Sequence, residues 1–337
     1  MADDDAVDNT TDDAVDNASD DAVDNTSDDA VDNTTDDAVD NTTDDTTDAN
    51  GDHDTTGNDV DTVSPTATSE NPNAERQYHL EITDGDVADS VLLPGNPDRL
   101  ETITGLWDES RAVASHREYR TATGRYRDTP ISVTSTGIGG PSTAIAVEEL
   151  ARAGADTFIR VGSCGTIQPD IAVGDLVITS GAVRQEGTSK EYVRETYPAA
   201  ADYEVVSALV CAAERLGHPY HVGVTMSADS FYAGQARPGF GGYEPPGSDC
   251  ALDALRQANV ANIEMEAATL LTLAGIYGLR AGAVCTVYAN RETGEFDVVG
   301  ETRAAETASL AVVLLATMDE TKRAAGVDRW HAGLSLE

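Results

Sequence analysis

Residues 131–166 read ISVTSTGIGGPSTAIAVEELARAGADTFIRVGSCGT, and their periodicity changes twice. Residues 131–135 read as a strand. Residues 143–153 follow as an amphipathic helical pattern closed by Gly154, with Pro141 near its first turn. Residues 156–161 return to a strand pattern. Strand, helix and strand joined by short connections form the repeating unit of an α/β sheet domain. Outward from this unit the same alternation continues. Strands are predicted at 90–94, 175–183, 220–227 and 280–287, and helices at 202–216, 266–277 (ended by Gly278) and 301–324. Nothing between 78 and 325 resembles a linker, so one α/β domain is expected over residues 76–337.

The preceding segment is different in kind. Of the 61 acidic residues among 337, 25 fall in residues 1–75, which contain no Lys, Arg or aromatic residue; 36 acids then face all 21 bases in the remainder. The net charge of −40 thus divides into −25 and −15. Residues 4–45 repeat an eight-residue unit of Asp, Ala, Val, Asn, Thr and Ser. Such a repeat buries too little apolar surface to offset its ordering entropy, so residues 1–75 are expected to be a disordered acidic tail.

The acidic balance argues against nucleic acid or an anionic membrane face as partner. Only Lys190 and Lys322 are lysines, and this Asp-rich, Lys-poor surface resembles proteins of salt-saturated, haloarchaeal-type cytoplasms. Cys164, Cys211, Cys250 and Cys285 form no C-x-x-C pair and have no nearby His cluster, so neither a zinc site nor a disulfide framework is indicated. The N-terminus lacks the basic and apolar pattern of a secretory signal, and the most apolar run, 308–318, is too short to span a bilayer. A cytoplasmic protein is expected.

Three glycine-rich segments are read as turns at strand ends, where α/β folds place ligands. They are Pro94-Gly95-Asn96-Pro97-Asp98-Arg99, Thr136-Gly137-Ile138-Gly139-Gly140-Pro141-Ser142 and Arg160-Val161-Gly162-Ser163-Cys164-Gly165-Thr166. None is a P-loop, and Ser142 stands where a dinucleotide fingerprint needs its last glycine. Arg99 and Arg160 flank two of these segments, and Arg117 follows Ser115-His116. Converging guanidiniums on so acidic a chain suit a phosphate. In Asn262-Ile263-Glu264-Met265-Glu266 two carboxylates stand at the entrance of an apolar helix. There a carboxylate either caps the helix or accepts hydrogen bonds from sugar hydroxyls. Phe231, Gln235 and Arg237 offer an aromatic platform, an amide and a guanidinium within seven residues, suited to a planar heterocycle.

Together with Leu93, Ile167-Gln168-Pro169 and the Phe-Tyr-x-Gly-Gln-x-Arg run at 231–237, these motifs resemble the uridine-cleaving branch of nucleoside phosphorylase family I, almost in register from Tyr78 to Thr293. The resemblance implies a phosphorylase/hydrolase-like fold with a central mixed, partly barrel-like sheet flanked by helices. It also implies a pentosyltransferase that cleaves uridine with phosphate in pyrimidine nucleoside catabolism and salvage, without an organic cofactor.

The implied roles are as follows. Gly95, Arg99, Arg117, Arg160 and Ser163 hold phosphate. His79, Cys164, Glu264, Met265 and Glu266 surround ribose. Phe231, Gln235, Arg237 and Arg291 serve the base, and Arg99, Arg160, Arg237 and Glu266 carry the catalysis. His79 and Arg117 reach into the neighbouring subunit of a dimer-based hexamer, and Glu118, Ile138 and Ser142 match a potassium site.

Three departures stand out. Ser163-Cys164 replaces the Thr-Thr of bacterial members, so a thiol stands for a hydroxyl near the sugar. Residues 238–249 differ from the family's lid in sequence and length. Tyr288-Ala289-Asn290-Arg291 carries no acid where purine-cleaving members have an Asp, which disfavours purines. The alternatives are a guanosine phosphorylase, a hydrolytic nucleosidase and a non-catalytic nucleoside-binding protein.

Overall fold

The computed structural model describes residues 76–334; the expected acidic tail, 1–75, lies outside them. The unit at 131–166 is realised as β4 (Thr129–Thr134), α2 (Gly140–Arg152) and β5 (Thr157–Thr166). β1 (Ser90–Pro94) runs between β4 and β5, parallel to both, with Leu92 opposite Val133 on one side and Ile159 on the other. After the short helix α1 (Arg99–Thr104), the hairpin of β2 (Glu109–His116) and β3 (Tyr119–Tyr126) extends the sheet antiparallel from β4.

The second half closes on itself. β6 (Leu176–Arg184) leads through α3 (Thr188–Tyr192), β7 (Ala199–Ala200) and α4 (Tyr203–Leu216) to β8 (Tyr220–Ser227). Then come α5 (Ser248–Gln257), β9 (Val260–Glu264), α6 (Ala267–Tyr277), β10 (Arg280–Asn290), β11 (Glu295–Phe296) and α7 (Glu301–Ala325). β10 pairs with β5 in parallel and with β6 antiparallel; β6 pairs with β8, β8 with β9, and β9 returns to β5 through Gly165–Ile263 and Thr166–Asn262. These five strands make the closed, mixed part of the sheet, the partly barrel-like centre that the resemblance implies.

Side-chain alternation along the strands supplies both cores. Leu92, Ile159, Val161, Ile178 and Val284 pack beneath α1, α4 and α7, whereas Val91, Leu93, Phe158 and Ala281 pack beneath α2 and α6. Each fully buried Leu, Ile or Phe contributes about 1.5–3 kcal/mol. By the same alternation Arg160, two residues beyond Phe158, faces the α6 side. Helix boundaries follow local chemistry. Asp202 caps α4 by accepting the N–H groups of Glu204 and Val205, and Gly217 and Gly278 end α4 and α6 in the left-handed conformation. Among the described residues no helix is long and apolar enough to cross a membrane.

One expectation is corrected. Residues 160–166 are not a strand-end turn; β5 continues through them because β10 pairs alongside, Cys285 opposite Gly162, Thr286 opposite Ser163 and Val287 opposite Cys164. Glycine is required at 162 by crowding rather than by a turn. A Cβ there would lie 2.6 Å from the Cys285 sulfur and 2.9 Å from the Arg160 guanidinium. The hairpin of β2 and β3 and the strand β9 are additions that the sequence reading did not contain.

Candidate active site

The site is built where β5, β9 and the start of α6 meet. Arg160 Nε donates to Glu264 Oε2 at 2.7 Å, and its Nη2 pairs with Glu266 Oε2 at 2.5 Å, all three groups being buried. Glu264 also caps α6, for its Oε2 accepts the N–H groups of Glu266 (2.8 Å) and Ala267 (2.9 Å). Its other oxygen accepts a short hydrogen bond from the Ser227 hydroxyl at the end of β8. Glu266 Oε1 accepts the Gly139 N–H at 2.5 Å, a contact made possible by the positive φ of Gly139 at the entrance to α2. The capping reading of the paired carboxylates is therefore realised. Glu264 caps the helix, and both residues line a cavity.

The electrostatics follow from burial. Desolvation alone would lower the Arg160 pKa, but the Glu266 and Glu264 carboxylates reverse the effect and raise it. Burial raises the pKa of Glu266, Arg160 opposes that shift and Glu264 reinforces it. The Cys164 thiol is pushed up by burial, with the Cys285 thiol beside it, so a neutral S–H faces the cleft.

The cavity is a cleft of about 540 Å³. It is lined by Gly95, Arg99, Arg160 and Ser163, by Cys164, Glu264, Met265 and Glu266, and by Phe231, Gln235 and Arg237. Phe231, Gln235 and Arg237 come from the loop after β8. The Arg237 guanidinium lies over the Phe231 ring at 4.0 Å and donates to Gln235 Oε1 at 2.5 Å and to the Phe231 carbonyl at 3.1 Å. Burial, then the nearby Arg291 charge, lower the Arg237 pKa to about 10, which leaves it a cation at neutral pH. Arg291 does not line the cleft. It holds the loop by donating to the carbonyls of Gln235 (2.8 Å) and Ala236 (3.1 Å).

The remaining predicted residues lie elsewhere. His79 is tied to the buried Glu149 by a 2.6 Å Nδ1 contact and by its backbone N–H, and Arg117, at the β2–β3 turn, sits 5.9 Å from the Tyr78 ring. Neither lines the cleft, so only Arg99 and Arg160 of the three arginines converge within one chain. Glu118, Ile138 and Ser142 do gather: a Cβ on Gly137 would touch both Glu118 and Ser142, and the Ser142 hydroxyl donates to the Ile138 carbonyl. Sequence reasoning missed Tyr288 and Phe296 in the lining, and Glu301, which binds Arg99 from outside it. Tyr288 lies where β10 outruns its predicted end, so the strand length was the missing signal.

The sequence that builds this cleft has relatives among known proteins. Residues 89–318 match the profile of the Phosphorylase superfamily. The chain belongs to the Phosphorylase superfamily. It is 62% identical over 268 residues to the uridine phosphorylase of Thermococcus kodakarensis, covering 79% of this chain and 97% of that protein. The uridine phosphorylase of Escherichia coli is 43% identical over 240 residues (70% and 95%), and the guanosine phosphorylase of Halorubrum lacusprofundi is 45% identical over 219 residues (65% and 86%). For a superfamily member of this kind, the matched span contains every residue that lines the cleft.

Proposed function

We propose that this chain phosphorolyses uridine to uracil and ribose 1-phosphate. The observation that carries the reading is that one cleft gathers the Arg99 and Arg160 guanidiniums, Glu266 and the Phe231–Gln235–Arg237 cluster. The 62% identity to a uridine phosphorylase over nearly its whole length supports the same choice. Phosphate is the co-substrate of nucleoside phosphorylases, and no organic cofactor takes part.

In this reading phosphate lies against Arg99, Arg160, Gly95 and Ser163. Ribose lies across Met265, Glu266 and Cys164, near Glu264, with Glu266 accepting sugar hydroxyls. Uracil lies between Phe231, Gln235 and Arg237. As the glycosidic bond breaks, positive charge grows on the sugar and negative charge on the base. The held phosphate serves the first as nucleophile and counter-charge, and Arg237 with Gln235 serves the second.

A guanosine phosphorylase is the second reading, favoured by the Halorubrum relative. Among the described residues the lining holds no carboxylate besides Glu264 and Glu266, so none beside Phe231, Gln235 and Arg237 is at hand to protonate a purine nitrogen. A phosphate-dependent assay on uridine, thymidine, guanosine, adenosine and inosine, in molar potassium chloride and in dilute buffer, tests the choice. Uridine is expected to turn over fastest, faster in molar salt, with ribose 1-phosphate as product. Faster guanosine cleavage, free ribose formed without phosphate, or no turnover at all would each replace the reading by one of its rivals.

We further propose a salt-adapted cytoplasmic enzyme assembled as a dimer-based hexamer, in which His79 and Arg117 complete a neighbour's site. Their positions outside their own cleft support it, as does the exposure of Tyr78 and Ile138 nearby. The carboxylate, carbonyl and hydroxyl around Gly137 are hard oxygen donors suited to potassium. Sizing in high salt is expected to give a hexamer, or a dimer as its smallest active unit; an active monomer would overturn the shared site.

A further inference from the structure

We infer that Glu301 is a positioning residue for Arg99, fixing the plane in which its guanidinium meets phosphate. The inference rests on the proposed reading that phosphate binds at Arg99. A guanidinium carries five N–H donors in a rigid fork. In Arg99 each nitrogen meets one acceptor: Nε meets Glu301 Oε1 at 2.5 Å, Nη2 the Tyr288 hydroxyl at 3.3 Å, and Nη1 the Val161 carbonyl at 3.5 Å. One N–H remains on each terminal nitrogen. Such a pair matches two oxygens of a tetrahedral anion, a contact that loses its value once the fork rotates.

Of the three acceptors, Glu301 makes the shortest contact and the only charged one. Its own place is fixed. It is the first residue of α7, where the helix dipole favours a carboxylate. The Thr286 hydroxyl donates to the Gly300 carbonyl at 3.0 Å, and Arg303 donates to the Gly174 carbonyl at 2.8 Å, anchoring the turn on either side. Glu301 does not line the 540 Å³ cleft, so it acts on phosphate through Arg99 and not by touching it. Arg160 is held in a parallel manner, its Nε by Glu264 and its Nη2 by Glu266, but those carboxylates face the cleft. For Arg99 the orienting carboxylate stands outside, where it leaves the sugar position free.

The test is phosphate and uridine saturation kinetics on the full-length protein in molar potassium chloride, for Glu301→Ala and Glu301→Gln. The Ala variant is expected to raise the KM for phosphate about tenfold or more, the usual consequence of losing a charged hydrogen bond, with the KM for uridine unchanged. The Gln variant keeps an oxygen acceptor for Nε and is expected to recover most of the loss. A phosphate KM that is unchanged or lowered in the Ala variant overturns the inference, a lowered value marking Glu301 as a competing anion. An equal rise in both KM values overturns it too, as a general disturbance of the site, and so does a Gln variant as impaired as the Ala variant. Absence of phosphate dependence in the unaltered protein would instead overturn the phosphorolysis reading, and this inference with it.

Discussion

Replacing Arg160 by Ala is expected to cost about 3–5 kcal/mol of stability and to lower phosphorolysis by about 10³-fold or more. The two effects have one origin. Arg160 is buried between Glu264 and Glu266, themselves buried and 2.7 and 2.5 Å away. Removing the cation strands two carboxylates in a low-dielectric site, and that penalty, not the worth of the pair, sets the stability loss. The activity loss is expected from the other edge of the same guanidinium, whose Nη1 lies beside Gly95 in the lining of the cleft, where phosphate is proposed to bind.

A pH dependence follows with a definite sign. Glu266 already has a raised pKa in the intact protein despite the opposing effect of Arg160. Without Arg160 it rises further, so the folded variant holds protons that the unfolded chain, near the ordinary carboxylate value of about 4.3, has released. Stability of the variant therefore falls as pH rises above that range and recovers as pH is lowered toward it. Denaturant unfolding across pH checks this, and a pH-independent loss would refute the stranded-charge account. Combining Arg160→Met with Glu264→Gln and Glu266→Gln should restore much of the stability and none of the turnover, separating the two consequences.

What the sequence disclosed and what it hid divide along one physical line. The alternation in residues 131–166 and the Gly278 stop are local, so, the far end of β5 apart, the elements they define appear within a few residues of their predicted ends. The predicted site residues Gly95, Arg99, Arg160, Ser163, Cys164, Phe231, Gln235, Arg237, Glu264, Met265 and Glu266 share one cleft. Their partnerships were not legible. Arg160 and Glu264 are 104 positions apart and Arg99 and Glu301 are 202 apart, and no periodicity joins residues at such separations. A similar limit made residues 160–166 read as a turn. Two glycines in seven residues suggest a turn, and it is the presence of β10 along the whole of β5, with β9 beside Gly165 and Thr166, that makes them a strand. Phe296 entered the cleft unannounced because β11 is two residues long, too short to carry a pattern.

Arg237→Ala is expected to lower turnover on uridine by about 100-fold or more, with a smaller effect on the KM for phosphate. The reason lies in how differently the buried Arg160 and the half-buried Arg237 are used. Arg160 arrives with its charge matched by two carboxylates. Among the described residues Arg237 has no carboxylate partner; its neighbours are the Phe231 ring, the Gln235 amide and the Arg291 cation. Burial beside another guanidinium is an unfavourable setting for a cation, which is why its pKa is lowered to about 10. That unmatched charge is stabilised by an anion arriving where none stood before, and the departing base becomes such an anion only as the glycosidic bond breaks. An interaction strengthened in the transition state and weak in the ground state lowers kcat more than it raises KM. Arg237→Lys keeps the charge but loses the flat stacking on Phe231 and the fixed fork, so it should recover only part of the rate. Steady-state kinetics on both variants at saturating phosphate check this. A rise in the uridine KM at unchanged kcat would mean that Arg237 holds the base equally in both states and leaves the developing charge to another group.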